Sequence, residues 1–374
     1  MKKFIGKILV HVSVCFLLMF AAEYSAGAQD AAVTADTSAC AAAEQQETAA
    51  PARGSDFDVQ AVIFGHTNDA YEWHITDIGS RHITIPLPII ARSSTGWHIF
   101  SSARLEEGPF EGLYISQSGK YSGKLVERNE AGEEVRPLDI SVTKNVVAMM
   151  FSSALLVLLI LLCTRWYRRH DVLAESPKGI AALMEPVIMM VHNDMVKDAI
   201  GEDYERYSPY LCTAFFWILI NNLLGIIPIF PGGANVTGNI AITMTLALCT
   251  FVAINFFGNK HYFKDVFWPD VPWWLKVPVP LMPVIEIFSA IVKPISLMIR
   301  LFANILAGHI IAISLVCVIF MFAKYGPLMF GGMSFVTVLL GIFMDLLEVL
   351  VAFLQAYVFT ILSAIFIGLS RQKA

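Results

Sequence analysis

Glu286, Ser289, Lys293, Ser296, Arg300, Asn304 and Gly308 recur at helical spacing through PVIEIFSAIVKPISLMIRLFANILAGHII, residues 283–311. On a helix turning about 100° per residue they share one narrow stripe, and Ile, Leu, Val and Phe fill most other positions. A guanidinium stays protonated, so Arg300 is a fixed cation that can attract a carboxylate and favour its ionised form without passing a proton on. Apolar sequence continues for several turns on both sides, which leaves no nearby helix end from which the side chain would snorkel to lipid headgroups. A cation at membrane depth costs ~2.5–3.5 kcal/mol on insertion scales unless it meets a partner or water, and it marks ion chemistry rather than packing.

Two other side chains suit proton relay. His309 lies about 13.5 Å along the helix from Arg300, and its spacing puts it on nearly the opposite side. It therefore lines a route behind the arginine's face. In the last apolar stretch Glu348 and Gln355 share a face to within about 20°. Gln355 lies ~10 Å deeper than Glu348, while Asp345, nearer the outer end, is a solvated rim charge. An imidazole titrates near neutrality, and desolvation raises a carboxyl towards the same range. A buried ion pair that only holds the two helices together is the alternative reading of His309 and Glu348, because breaking such a pair is costly whatever its function.

Holding these groups requires long membrane helices. The chain is 56% hydrophobic and only 15% charged over 374 residues, and its mean hydropathy is +0.62. That is too apolar for a soluble protein, and the apolarity is concentrated after Lys144. A net charge of -5 offers no basic surface for nucleic acid, and neither GxxxxGK[ST] nor GxGxxG occurs. The six cysteines have no metal-site spacing, so no disulfide framework or metal site is implied, and no cofactor either. The expected class is a mainly α, polytopic membrane protein of about five crossings, with a small N-terminal β domain outside the membrane.

Residues 1–28 read as a signal peptide: Lys2, Lys3 and Lys7, an apolar run from Ile8 to Ala22, then Ala26-Gly27-Ala28. Residues 29–55, rich in Ala, Thr and Gln, read as a disordered linker. Across 56–140, HITIPLPIIA, GWHIFSS and GLYISQ alternate or cluster β-branched and aromatic residues between breakers, which predicts an exported β domain. Its histidines, His66, His74, His82 and His98, lack paired ligand spacing. The membrane domain occupies 141–374. A first span over about Val146 to Cys163 is followed by Arg165, Arg168 and Arg169, which hold that end in the cytoplasm. An amphipathic helix over Lys178–Ile200 lies on the cytoplasmic face, on lipid or against a partner helix. Further spans are predicted at about Leu211–Phe230, with Asn221 and Asn222, and Val236–Gly258, with Thr237, Asn239, Thr243 and Thr245 near its outer end. Those groups serve either interhelical bonding or a water path. Leu281–Phe322 runs roughly 60 Å, about twice the ~30 Å hydrocarbon thickness, so it must tilt, lie partly in the interface or bend, with Pro294 the place for a bend. Met329–Leu369 returns to Arg371 and Lys373, placing the C-terminus inside.

The run KPISLMIRLFANILAGHII resembles the signature helix of subunit a of F-type ATP synthases, in which a lysine-proline-x-serine run precedes an R-L-F-x-N-x-x-x-G core. The likeness extends more loosely from about residue 146 to the C-terminus. It implies a stator subunit of the bacterial inner membrane beside a ring of small hairpin subunits, with b-type peripheral-stalk subunits and, indirectly, a soluble ATPase sector as partners. It implies Arg300 as the ion-translocating arginine. His309, Glu348, Gln355, Asn239 and Asn304 would line an external proton half-channel, and Glu286, Ser289, Lys293 and Ser296 an internal one. The family usually has an acid at the position of His309 and a histidine at that of Glu348, so this chain has the pair exchanged. Gly225 stands where some members carry an aspartate, and the exported domain is not a general family feature. An ion-coupled transporter or channel whose external β domain captures a ligand is the alternative from another class, and a membrane assembly protein with structural polar pairs is a third.

Overall fold

The computed structural model describes residues 69–78, 81–106, 108–116, 121, 123–129, 132–170, 176–227, 232–256, 258–267 and 281–371. The expected signal peptide, the linker, the first residues of the β domain and the tryptophan-rich stretch 268–280 lie outside the described residues.

Alternating patterns at the N-terminal end become strands. β1 (Glu72–Ile78) pairs with β2 (Arg81–Pro86), and β3 (Pro88–Ser93) pairs antiparallel with β4 (Gly96–Ser101). A short helix, α1 (Ala103–Glu106), leads to β5 (Leu113–Ile115), β6 (Leu125–Arg128) and β7 (Glu134–Val135), and β8 (Leu138–Asp139) returns to the free side of β3. Because side chains alternate across a sheet, Ile89, Ala91 and Phe100 point to one side. They form a small core with Tyr71, Leu113 and Leu125.

Helices make up the rest. α2 (Lys144–Arg169) begins two residues before the expected span and continues through all three arginines, since backbone bonding does not stop where apolarity does. α3 (Ile180–Met189) runs into a π-helical segment, Met190–Lys197. A turn at Gly201, where φ is 74°, separates this run from α4 (Tyr204–Ile226). The expected cytoplasmic helix and second span are thus nearly continuous. α5 (Ile240–Phe256) starts later than Val236 because Asn239 Oδ1 accepts the Ala241 N–H at 3.0 Å and caps the helix there. α6 (Lys260–Phe267) precedes the hairpin of α7 (Leu281–Phe322) and α8 (Pro327–Arg371), and Pro294 lies inside α7 without ending it. Among the described residues, four helical runs, Lys144–Arg169, Ile180–Ile226, Val284–Phe322 and Pro327–Arg371, are long and apolar enough to cross a membrane. α5 is shorter, ~25 Å by its rise, near the lower limit for a crossing.

α4 is the hub. It packs against α2 and α8, and α7 packs against α8 and α5. Leu211, Phe215 and Ile218 of α4 are fully buried. At the far end of α8 the backbone comes so close to Ala199 that a Cβ added at Gly368 would lie 2.1 Å from the Ala199 carbonyl oxygen. Asn259 N–H donates to the Ser370 carbonyl at 2.8 Å, and Arg371 pairs with Asp203 beside this contact. Gly368→Ala forces two backbones apart, and overpacking of this kind costs about 1–3 kcal/mol. The thermal midpoint of the purified protein is expected to fall; an unchanged midpoint would show that the contact separates freely.

Candidate functional site

α7 and α8 bring His309 against Glu348. His309 Nδ1 lies 3.0 Å from Glu348 Oε1, and the two side chains are 14% and 10% exposed. Gly308 makes room for the carboxyl: a Cβ there would lie 2.9 Å from Glu348 Oε1 and 3.2 Å from its Cδ. On the other flank is Gly225 of α4, whose added Cβ would meet the His309 Cε1 and Nε2 at 3.7 Å. The imidazole therefore sits between α4 and the carboxyl, facing the position where the resemblance places an aspartate in some relatives. Gly308→Ala should displace Glu348 and lengthen the contact with His309. The expected result is a lower thermal midpoint of the purified protein, restored in part by shortening the acid in Gly308→Ala/Glu348→Asp; an unchanged midpoint in Gly308→Ala would show that the carboxyl has other room.

One turn along α4 from Gly225, the buried Asn222 ties three segments together. Its Nδ2 donates to the Ala352 carbonyl of α8 at 3.3 Å, and its Oδ1 accepts the Thr237 hydroxyl at 2.7 Å. Ala352 lies one turn beyond Glu348, so this bond fixes α8 between Glu348 and the buried Gln355. Asn235, adjoining the same turn, is 5% exposed, and neither atom of its amide has a hydrogen-bond partner among the described residues. A buried polar group without a partner is costly. The apolar setting of Asn222 and Thr237 is legible in sequence, but the partner of Asn222 at Ala352 is not.

Arg300 faces the other way. Leu297, Leu301 and Ile305 are buried against the bundle, whereas Ser296, Arg300 and Asn304 are exposed along one face of α7. Towards the α7 N-terminus Glu286, Ser289 and Lys293 are half-buried, and the Lys293 ammonium lies 5.6 Å from the Phe366 ring centroid. The structure thus joins His309, Glu348 and the Asn222 cluster, and separates them from Arg300. Asn239 stands at the α5 cap. Among the described residues no group of three or more His, Cys, Asp or Glu side chains could hold a metal ion. In the β domain His98 bonds Ser93 at 2.8 Å and Thr95 at 2.9 Å, and it pairs with Glu111.

The family described as ATP synthase A chain matches residues 147–368, and a domain of unknown function matches residues 62–144. The chain is 41% identical over 244 residues to "ATP synthase subunit a" of Chloroherpeton thalassium, covering 63% of this chain and 68% of that one. It is similarly 41% identical over 246 residues to "ATP synthase subunit a 2" of Chlorobaculum tepidum, covering 63% and 65%. Against "ATP synthase subunit a" of Myxococcus xanthus it is 40% identical over 253 residues, covering 64% and 78%. The matched part spans about two thirds or more of the length of these relatives.

Proposed function

Since this chain belongs to the ATP synthase A chain family and is a multi-pass membrane protein, we propose that it is the ion-translocating stator subunit of a rotary ATP synthase. It works beside a ring of small hairpin subunits, held by b-type peripheral-stalk subunits. The observation that carries the proposal is the division of α7 into two faces. Arg300 is presented on the open face with Ser296 and Asn304, while His309 meets Glu348 on the packed side. A ring carboxylate passing the open face would be drawn to Arg300 and kept ionised, and the fixed positive charge would repel a proton leaking directly past it.

Protons enter from outside along Asn239, His309, Glu348 and Gln355, with Asn304 at the approach to the arginine. They leave along Glu286, Ser289, Lys293 and Ser296. The arginine cluster at the end of α2 supports a cytoplasmic position for that end, with the β domain outside and the end of α8 inside. A gently solubilised preparation should carry the ring and the soluble ATPase sector with it. Full transport activity of an isolated monomer or dimer would replace this function with that of an autonomous transporter.

The β domain contributes to assembly rather than to the ion path, because every group assigned to that path lies beyond residue 200. Deleting the domain while keeping the leader and α2 should lower the amount of assembled complex more than the pumping of each complex that remains. Lost pumping at unchanged assembly would place the domain in the outer channel.

A further inference from the structure

Asn235 is a buried polar side chain that the ion path above leaves unused. It is 5% exposed, and neither Oδ1 nor Nδ2 has a hydrogen-bond partner among the described residues. Its neighbours Ala234, Val236 and Thr237 are each no more than 3% exposed. The backbone between α4 and α5 is not helical here, yet it is pinned. Gly233 N–H donates to the Leu224 carbonyl of α4 at 3.1 Å, the Thr237 hydroxyl donates to Asn222 Oδ1 at 2.7 Å, and Asn239 N–H donates to the Val236 carbonyl at 3.2 Å. The Asn235 side chain lies over Gly238, where a Cβ would run into both Oδ1 and Nδ2. Packing thus fixes an amide in a place where only a further bonding partner offsets the cost of its burial.

The adjoining peptide leads to His309. A Cβ at Gly225 would lie 3.6 Å from the Ala234 carbonyl oxygen and 3.7 Å from His309 Nε2, so the carbonyl that precedes Asn235 and the imidazole line one small space beside the glycine. His309 Nδ1 faces Glu348 at 3.0 Å, which turns Nε2 towards this space. With the imidazole proton on Nδ1, Nε2 is a hydrogen-bond acceptor. We propose that Asn235 holds water at the outer end of the proton path, and that this water reaches His309 Nε2 across Gly225. The amide, the Ala234 carbonyl and the imidazole supply the roughly three polar partners that a buried water takes. Asn235 is then a positioning residue, acting on His309 through water. This role rests on the reading of His309 as part of the external path; the water itself does not.

A cryo-electron microscopy map of the whole complex, at a resolution that shows ordered water, should place water within hydrogen-bond distance of the Asn235 amide and of His309 Nε2. Gly225→Ala should remove the water beside His309 with little change in packing, since its methyl group meets only ordinary contacts. The functional readout is ATP-driven pumping per assembled complex. Asn235→Leu keeps the side-chain volume and loses both polar atoms, and it should slow pumping roughly tenfold, short of the loss of a relay group itself. Asn235→Ser keeps a hydroxyl and leaves room for water, so it should pump faster than Asn235→Leu. A side chain needed only for packing gives the reverse order, because serine leaves a cavity and leucine does not. No water at the Asn235 amide, water beside His309 unmoved by Gly225→Ala, or serine slower than leucine would overturn the site. None of these outcomes bears on Arg300, whereas normal pumping in Arg300→Lys would strike the stator reading and leave the water in place.

Discussion

Arg300→Lys abolishes ATP-driven proton pumping while the chain still inserts and assembles: that is the expected result, and Arg300→Ala should behave the same way. Lysine keeps a positive charge at neutral pH in water, but it is a compact point charge whose proton is lost readily on burial, whereas guanidinium stays charged. A group that must hold a ring carboxylate ionised in a poorly hydrated face cannot share its proton with that carboxylate. Loss of a preorganised charge aimed at the transferring group costs roughly a hundredfold or more in comparable settings. Folding should be spared, because Arg300 is exposed on α7 and the adjacent Leu301 carries the packing. The measurement is dye-reported acidification of inverted vesicles, normalised to assembled complex. Near-normal pumping in the lysine variant would remove this residue from the ion path.

The second large effect is expected at the exchanged pair. His309→Ala and Glu348→Gln should each slow pumping by about a hundredfold, the scale of a lost proton-transfer group. Because the two side chains touch at 3.0 Å, the double variant should lose less than the product of the single losses. His309→Glu combined with Glu348→His should recover part of the rate. Full recovery is not expected, since the bulkier imidazole must then fit where Gly308 leaves room for a carboxyl. Multiplicative losses with no recovery in the exchange would mean two independent structural roles.

Much of this geometry is written in local spacing. The polar stripe of α7 follows from a 3.6-residue repeat, along which Ser296, Arg300 and Asn304 are exposed. Strands β2 to β5 follow from alternation in HITIPLPIIA, GWHIFSS and GLYISQ. Other features depend on which distant segments meet. β7 and β8 are two residues each and have no period to detect. The π-helical segment Met190–Lys197 gives no compositional signal, and the later start of α5 depends on a single cap at Asn239. Gly308, Gly225 and Gly368 look like ordinary membrane-helix glycines until Glu348, His309 and Ala199 arrive beside them.

The face of α7 turned to the ring can be tested directly by disulfide cross-linking in the assembled complex. Single cysteines at positions 296, 297, 300, 301 and 304 would be paired with a cysteine on the outer helix of the hairpin subunit, one turn from its ion-binding carboxylate. Cross-links are expected from 296, 300 and 304, where the side chains are exposed, and not from 297 and 301, which are buried against the bundle. Efficient cross-links from 297 and 301 instead, or none from any of the five while the ring co-purifies, would contradict a ring carboxylate passing Arg300.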